Sequence, residues 1–224
     1  IFQISTQPSA IRSAGSKHSI RNNKIGVDSA DVEVGVCGRG IYLIGDPKDV
    51  LVSGNMIVNP GLSGISLNGA LYDANTLRGN TIKQSKSWPQ IEGNPEAEDA
   101  IQLGPSLPDA FLNFQPAEVT TISGVSVSGT SGAGSPCPNC VVELFLDDTD
   151  AVVEALQSLA VVTADGDGNW TATLPFALSS TQGLRTTSTS ARYNTIANMS
   201  AGTTTGLSSL YRSSVKIFLP SVLR

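Results

Sequence analysis

Aromatic residues make up only 5% of this 224-residue chain, and a single histidine, His18, is present. Few side chains are therefore available to stack on sugar rings or to assemble a zinc site. Lys and Arg total 14 against 19 Asp and Glu, a net charge of -5. No basic patch is wide enough to neutralise a run of phosphates, so nucleic acid is not an expected partner. No apolar run approaches the roughly 20 residues that a bilayer-spanning helix requires. The opening "IFQISTQPSA" lacks the basic start and apolar core of a signal peptide, and it does not begin with Met. The expectation is a processed product or the C-terminal part of a longer protein, with upstream coils missing.

What is abundant is Gly, Ser, Thr and Asn, a composition that favours strands joined by tight turns. These residues recur in order. "GIYLIG" (40–45) aligns with "GISLNG" (64–69), and "VLVSGNMI" (50–57) with "NTLRGNTI" (75–82). An earlier block, "HSIRNNKI" (18–25), matches the second pair at a longer offset, with "GVDSADVEVGVCGR" as an inserted loop. A period of about 25 residues holding two short alternating strands is the signature of a solenoid. A leucine-rich horseshoe would need denser leucine, so the expected form is a parallel β-helix.

In that form Ile41 and Leu43, then Ile65 and Leu67, point inward with period two and stack on successive coils. Tyr42 and Ser66 are expected to face water. Glycines at 40, 45, 54, 64, 69 and 79 fall where the chain turns or backbones approach closely. Asn55 and Asn80 are expected to stack at a bend as a hydrogen-bonded ladder that Asn23 begins, a structural role rather than a catalytic one. The coils are assigned to residues 1–88.

Residues 89–118 are proline-rich and irregular. Ile101, Leu103, Phe111, Leu112 and Phe114, with Trp88, are expected to cover the open end of the solenoid, whose strand edges would otherwise be bare. From 119 to 224 the pattern becomes separate strands with frequent turn signals, the form of a small β-sandwich. Within "VVELFLDD" (141–148), Val142, Leu144 and Leu146 form the expected inward row, with Glu143 and Phe145 on the opposite face. Trp170 is expected in the core or at its edge. The closing "VKIFLPSVLR" reads either as the last strand or as an edge, export or anchoring segment.

Cys137-Pro138-Asn139-Cys140 leaves three readings open. Half a zinc site would have to draw on Cys37 and His18 from distant coils. A redox pair normally opens a helix, whereas strands surround this one. A local disulfide needs only an oxidising compartment. Cys37 is expected to be a small core residue, with a bond to a neighbouring chain as the other option. In "DGDGNW", Asp165, Asp167 and Asn169 alternate as at the start of a calcium loop, but the rest of that pattern is missing. A tight turn between two strands is the plainer reading, and Asp147, Asp148 and Asp150 could lend a further ligand if calcium binds.

The rungs at 38–82 resemble those of right-handed parallel β-helix proteins of the pectate-lyase-like superfamily, bacterial surface repeat proteins above all. "TTISGVSVSGT", "CPNCVVELFLDD" and "ADGDGNWTATLP" together resemble the immunoglobulin-like module that follows such helices in secreted bacterial proteins. "VKIFLPSVLR" is similar to the tails of surface proteins from Chloroflexus-type bacteria. The resemblance implies an all-β chain, β-helix coils then an immunoglobulin-like sandwich, that is secreted or displayed at the cell surface. That setting favours the Cys137–Cys140 disulfide. It carries over no active site, because Asp31, Glu33, Asp46 and Asp49 read as solvated loop acids near Arg39 and Lys48.

The expected function is a non-catalytic structural or adhesive module whose partners are other subunits, cell-surface components or polysaccharide, with no cofactor beyond calcium. Two other classes remain: the last coils and accessory domain of a polysaccharide lyase or glycoside hydrolase, and a carbohydrate-binding module. Paired acids on adjacent coils would mark the first. Exposed Tyr or Trp on the sandwich would mark the second, and in the coils only Tyr42 and Tyr72 are present to stack on sugars.

Overall fold

The computed structural model describes residues 8–69, 73–83, 100–104, 114–132, 137–191 and 201–212. Trp88, Tyr72, Phe111, Leu112 and "VKIFLPSVLR" lie outside the described residues. The described chain is all-β, with three parallel sheets followed by two antiparallel ones.

The first coil holds β1 (Ser9–Ala14), β2 (Ser19–Arg21) and β3 (Lys24–Ile25). The second holds β4 (Arg39–Ile44), β5 (Leu51–Ser53) and β6 (Met56–Val58). The third holds β7 (Ile65–Leu67), β8 (Thr76–Arg78) and β9 (Thr81–Lys83), and β10 (Ile101–Leu103) adds a fourth rung to one sheet. The sheets run β1-β4-β7-β10, β2-β5-β8 and β3-β6-β9. This is a parallel β-helix with three strands per coil rather than the two expected. The difference arises at Gly54 and Gly79, whose φ values of 64° and 61° bend the chain within what reads as one strand.

Register stacks like on like. Ile41, Ile65 and Ile101 form one inward column, Leu43, Leu67 and Leu103 a second, Val52 and Leu77 a third, and Ile57 and Ile82 a fourth. Ile41, Leu43, Val52, Ile57, Ile65, Leu67 and Ile82 are wholly buried. Each such side chain contributes about 1.5–3 kcal/mol of transfer free energy. Two expectations change here. Ile101 and Leu103 form a rung rather than a plug. Ser66 is buried rather than facing water, and its hydroxyl lies 3.4 Å from Gln102 Oε1 on the rung above.

The columns are tight enough to exclude a methyl group. A Cβ at Gly40 would lie 2.5 Å from Ile57 Cγ2 and 2.6 Å from the Gly64 carbonyl oxygen. Gly40→Ala is therefore expected to lower stability by about 1–3 kcal/mol, the cost of overpacking a dense core. Urea denaturation monitored by circular dichroism checks it.

The second unit packs β11 (Glu118–Ser123), β12 (Ser126–Thr130) and β15 (Asn169–Thr173) against β14 (Gln157–Thr163), β13 (Val141–Asp148) and β16 (Gln182–Thr189). All pairings within these two sheets are antiparallel, the immunoglobulin-like arrangement of two facing sheets. Val119, Val127, Val142, Leu144, Trp170, Ala172 and Leu184 fill the space between them. The opposite face of β13 is buried as well, because it lies on the coils. Phe145 packs with the solenoid core, and Glu143 and Asp147 are only 1% and 0% exposed. A strand buried on both faces explains why the apolar residues of "VVELFLDD" fall on both of its sides, Val142 and Leu144 on one and Phe145 on the other.

Candidate functional site

Three polar groupings concentrate the chemistry of the described residues: an asparagine ladder, the carboxylates of β13 and two short loops of the sandwich. The ladder follows from the bends at Gly54 and Gly79. Each glycine lets the next residue turn its side chain along the solenoid axis. Asn55 Oδ1 accepts from the Asn23 backbone N–H at 3.0 Å and from Asn23 Nδ2 at 2.9 Å. Asn80 Oδ1 receives the same pair of donors from Asn55, at 3.1 and 2.9 Å. Asn55 Nδ2 also donates to the Ile20 carbonyl, and Asn80 Nδ2 to that of Val52. These amides satisfy backbone groups that the bends remove from the strand ladders. Asn75, which the repeat did not single out, does the same at the next corner. It accepts from Val50 N–H at 3.1 Å and donates to the Pro47 carbonyl.

Of the β13 carboxylates, Glu143 forms the junction between the two units. Glu143 accepts the Gly79 N–H at 2.9 Å to Oε1 and 3.1 Å to Oε2, and the Ser158 hydroxyl at 2.7 Å. Arg78 Nε stands 3.7 Å away. Burial pushes the Glu143 carboxyl above its ordinary range, against the pull of Ser158, Gly79 and Arg78. Burial lowers the Arg78 guanidinium in turn, with Glu143 opposing that. On the same strand, Asp147 accepts from Arg185 Nε, and Arg185 Nη1 donates to the Ser208 carbonyl at 2.9 Å. Asp147 is likewise pushed up by desolvation, with Arg185 pulling it down.

Asp147, Asp148 and Glu154 each place an oxygen within 4.8 Å of the others, a grouping able to coordinate a divalent ion. Its central carboxylate already has a cationic partner in Arg185. Sequence reasoning missed this junction. The available signal was a run of acids inside an apolar strand.

Asp165 belongs to a different place. Its Oδ1 accepts the N–H groups of Asp167 and Asn169, both at 2.9 Å, and its own N–H reaches the Asn169 carbonyl. Those backbone donors hold its carboxyl below the usual range. The segment is a closed turn between β14 and β15. Asp147, Asp148 and Asp150 lie at or beyond the other end of β13, roughly 20 Å away at about 3.3 Å per residue, and lend it no ligand.

Cys137 and Cys140 are joined in a disulfide, and both are buried against the residues that continue the solenoid core. Cys37 is exposed rather than a core residue, because it sits at the foot of the inserted loop, outside the strands. Native protein treated with a thiol alkylator is therefore expected to take one label, on Cys37. Three labels should follow only after unfolding and reduction, as intact mass would show. The disulfide closes a very short loop, so its removal should cost no more than about 2 kcal/mol by chain entropy.

The loop acids occupy separate positions. Asp31 and Glu33 pair with Lys24 and Lys83 across the inserted loop, at 2.6 and 2.7 Å. Asp46 and Asp49 take left-handed backbone conformations in the turn between β4 and β5. On the outer face of the four-stranded sheet, the row Arg12, Tyr42, Ser66 and Gln102 carries no acid. Arg39 stacks its guanidinium 4.6 Å from the centre of the Tyr42 ring there. A shallow depression beside β11 is lined by Val119–Ile122, Tyr211 and Arg212.

No helix among the described residues is long and apolar enough to cross a membrane. No protein-family model matches the chain, and a search of curated proteins finds no match. Its likeness to β-helix and immunoglobulin-like proteins therefore rests on the fold and the rungs themselves.

Proposed function

We propose that this chain is a non-catalytic structural or adhesive module of a secreted protein, displayed on a cell surface or built into a filament. The observation that carries this reading is the junction. Buried Glu143 ties the backbone of one coil to the sandwich, and Arg78 reaches across to Thr189 as well as to Glu143. Such a joint transmits force between a stiff rod and a compact domain without a flexible hinge. The polar groups of the ladder and the junction are engaged with one another, as a scaffold requires, and the resemblance to bacterial surface proteins points the same way. Other subunits or surface components are the natural partners, and polysaccharide is an adhesive target.

The enzyme-accessory reading draws on one observation, the Tyr42 ring on the outer face of the four-stranded sheet. The carbohydrate-binding reading is weakened by Trp170, which lies in the sandwich core. Electron microscopy of the native particle, with intact mass, separates these readings. Filaments or surface arrays support the module. A monomer that releases unsaturated or reducing sugars from a polysaccharide panel overturns it.

Calcium is a candidate at the Asp147 cluster and at the Asp165, Asp167 and Asn169 turn. The thermal midpoint is expected to be the same in calcium as in chelator, because Arg185 already neutralises Asp147 and Asp165 Oδ1 already holds two N–H groups. An upward shift, which any ion binding only the folded state must produce, would give calcium a structural role.

A further inference from the structure

We infer that the sandwich is also the terminal cap of the solenoid, occupying strand edges with which a second copy of the chain would otherwise pair. The three parallel sheets end at β8, β9 and β10, and segments from beyond residue 150 bond to β8, to β9 and to the residue just before β10. At β8, Leu77 N–H donates to Thr204 Oγ1 at 3.1 Å, and Thr204 N–H to the Asn75 carbonyl at 3.0 Å. Ala74 N–H donates to Thr203 Oγ1 at 2.7 Å, and Thr76 Oγ1 to the Gly202 carbonyl at 2.7 Å. At β9, Ile82 and Ala155 exchange both backbone hydrogen bonds, at 2.8 and 3.0 Å. Just before β10, Ala100 N–H donates to the Val153 carbonyl at 3.1 Å. Phe145, Ala155 and Leu207 close the apolar end.

The manner of pairing is what makes this a stop. Every strand pair inside the solenoid is parallel, whereas Ile82 meets Ala155 in an antiparallel bridge. Threonine hydroxyls replace backbone groups at β8. Neither arrangement offers a rung that another coil could extend, so the β8 and β9 edges are terminated. If the cap is loosened, Leu77 and Ile82 present the same kind of rung that Val52 and Ile57 present to them. A second copy loosened in the same way can then pair with it edge to edge, β8 and β9 of one copy against those of the other, a twofold contact. This inference is independent of the proposed function, since an enzyme's last coils would need the same stop.

Two measurements test it. In the native chain, the amides of Leu77 and Ile82 are expected to exchange with deuterium as slowly as those of Val142 and Leu144 in the sandwich, opening only with it. Exchange about tenfold or more faster at Leu77 and Ile82 would show the coil end opening beneath an intact sandwich, and would overturn the cap. The second measurement uses the nearly isosteric double variant Thr203→Val, Thr204→Val, which removes the acceptors of Ala74 N–H and Leu77 N–H. It is expected to speed exchange at Ala74 and Leu77 by at least about tenfold, and to form a dimer whose share rises with concentration while Leu144 stays protected. A variant that remains monomeric at all concentrations, with or without faster exchange, overturns the role against a second copy.

Discussion

Replacing Glu143 with alanine is expected to lower the free energy of unfolding by about 3 kcal/mol or more, among the larger single losses available to this chain. The cost has three parts. The Gly79 N–H loses both of its acceptors, Ser158 loses its partner, and the mostly buried Arg78 loses its counter-charge. Removing one partner of a buried pair typically costs about 3–5 kcal/mol, because the other charge is left uncompensated. Arg78 is 26% exposed, so solvent recovers part of its share and the lower end applies. Chemical denaturation gives the number. A loss below about 1 kcal/mol would place Glu143 among ordinary surface acids and remove the physical basis for a rigid junction.

Glu143→Gln separates hydrogen bonding from charge. The amide still offers an oxygen to Gly79, so its cost at neutral pH is expected to be nearer 1 kcal/mol. The pH dependence then has a definite sign. The native carboxyl is raised above its unfolded value, so the folded state binds the proton more tightly than the unfolded state. Stability from this group is fully present below the unfolded pKa of about 4.5 and is lost as pH rises through the higher native value. The advantage of wild type over Glu143→Gln should therefore widen as the solution is acidified through that window. A gap that narrows instead would show the native carboxyl to be lowered, with the ion pair outweighing burial.

The rungs were legible in the sequence because stacking imposes a rule on every coil. Ile41 and Ile65 must recur in place, and so must the Gly-Asn pairs at the bends. The first strand was not legible, since "SAIRSA" carries only one large apolar residue. Nor was β10, because the length of the preceding insertion hides its register from any fixed period. Alternation along "VVELFLDD" correctly set Glu143 opposite Val142 and Leu144. It carries no information about what covers that opposite face, which is a coil about 60 residues earlier in the chain. The burial of Glu143 and Asp147, and with it the junction, depends on a long-range contact that no local pattern records. The environment of Cys37 was missed for a related reason. Its short apolar context resembles a strand, but the positive φ values of Gly35 and Gly38 on either side hold it in a loop.

The asparagine ladder yields the second large effect, and its test lies in the order of the costs rather than in any one of them. Asn55 stands in the middle. Its side chain accepts two donors from Asn23, donates to the Ile20 carbonyl and gives its amide to Asn80, and it is only 1% exposed. Asn55→Ala strips partners from both neighbouring coils and leaves the Asn23 N–H and the Ile20 carbonyl without their acceptor and donor. At about 1–3 kcal/mol for each group left unsatisfied under cover, a loss of about 3 kcal/mol is expected. Asn80→Ala should cost about as much, because it leaves the buried Asn55 N–H and the Val52 carbonyl without their acceptor and donor. Asn23→Ala should cost about 1 kcal/mol or less, since Asn23 is partly open to water and its own amide donates to Arg21 and Asn55 alone. The double variant Asn55→Ala, Asn80→Ala should cost clearly less than the two singles added together, because they share one set of bonds. Denaturation midpoints for the four variants decide the matter. Equal losses that add without coupling would mean that three separate turn residues happen to be aligned, rather than one continuous polar column that sets the coils in register.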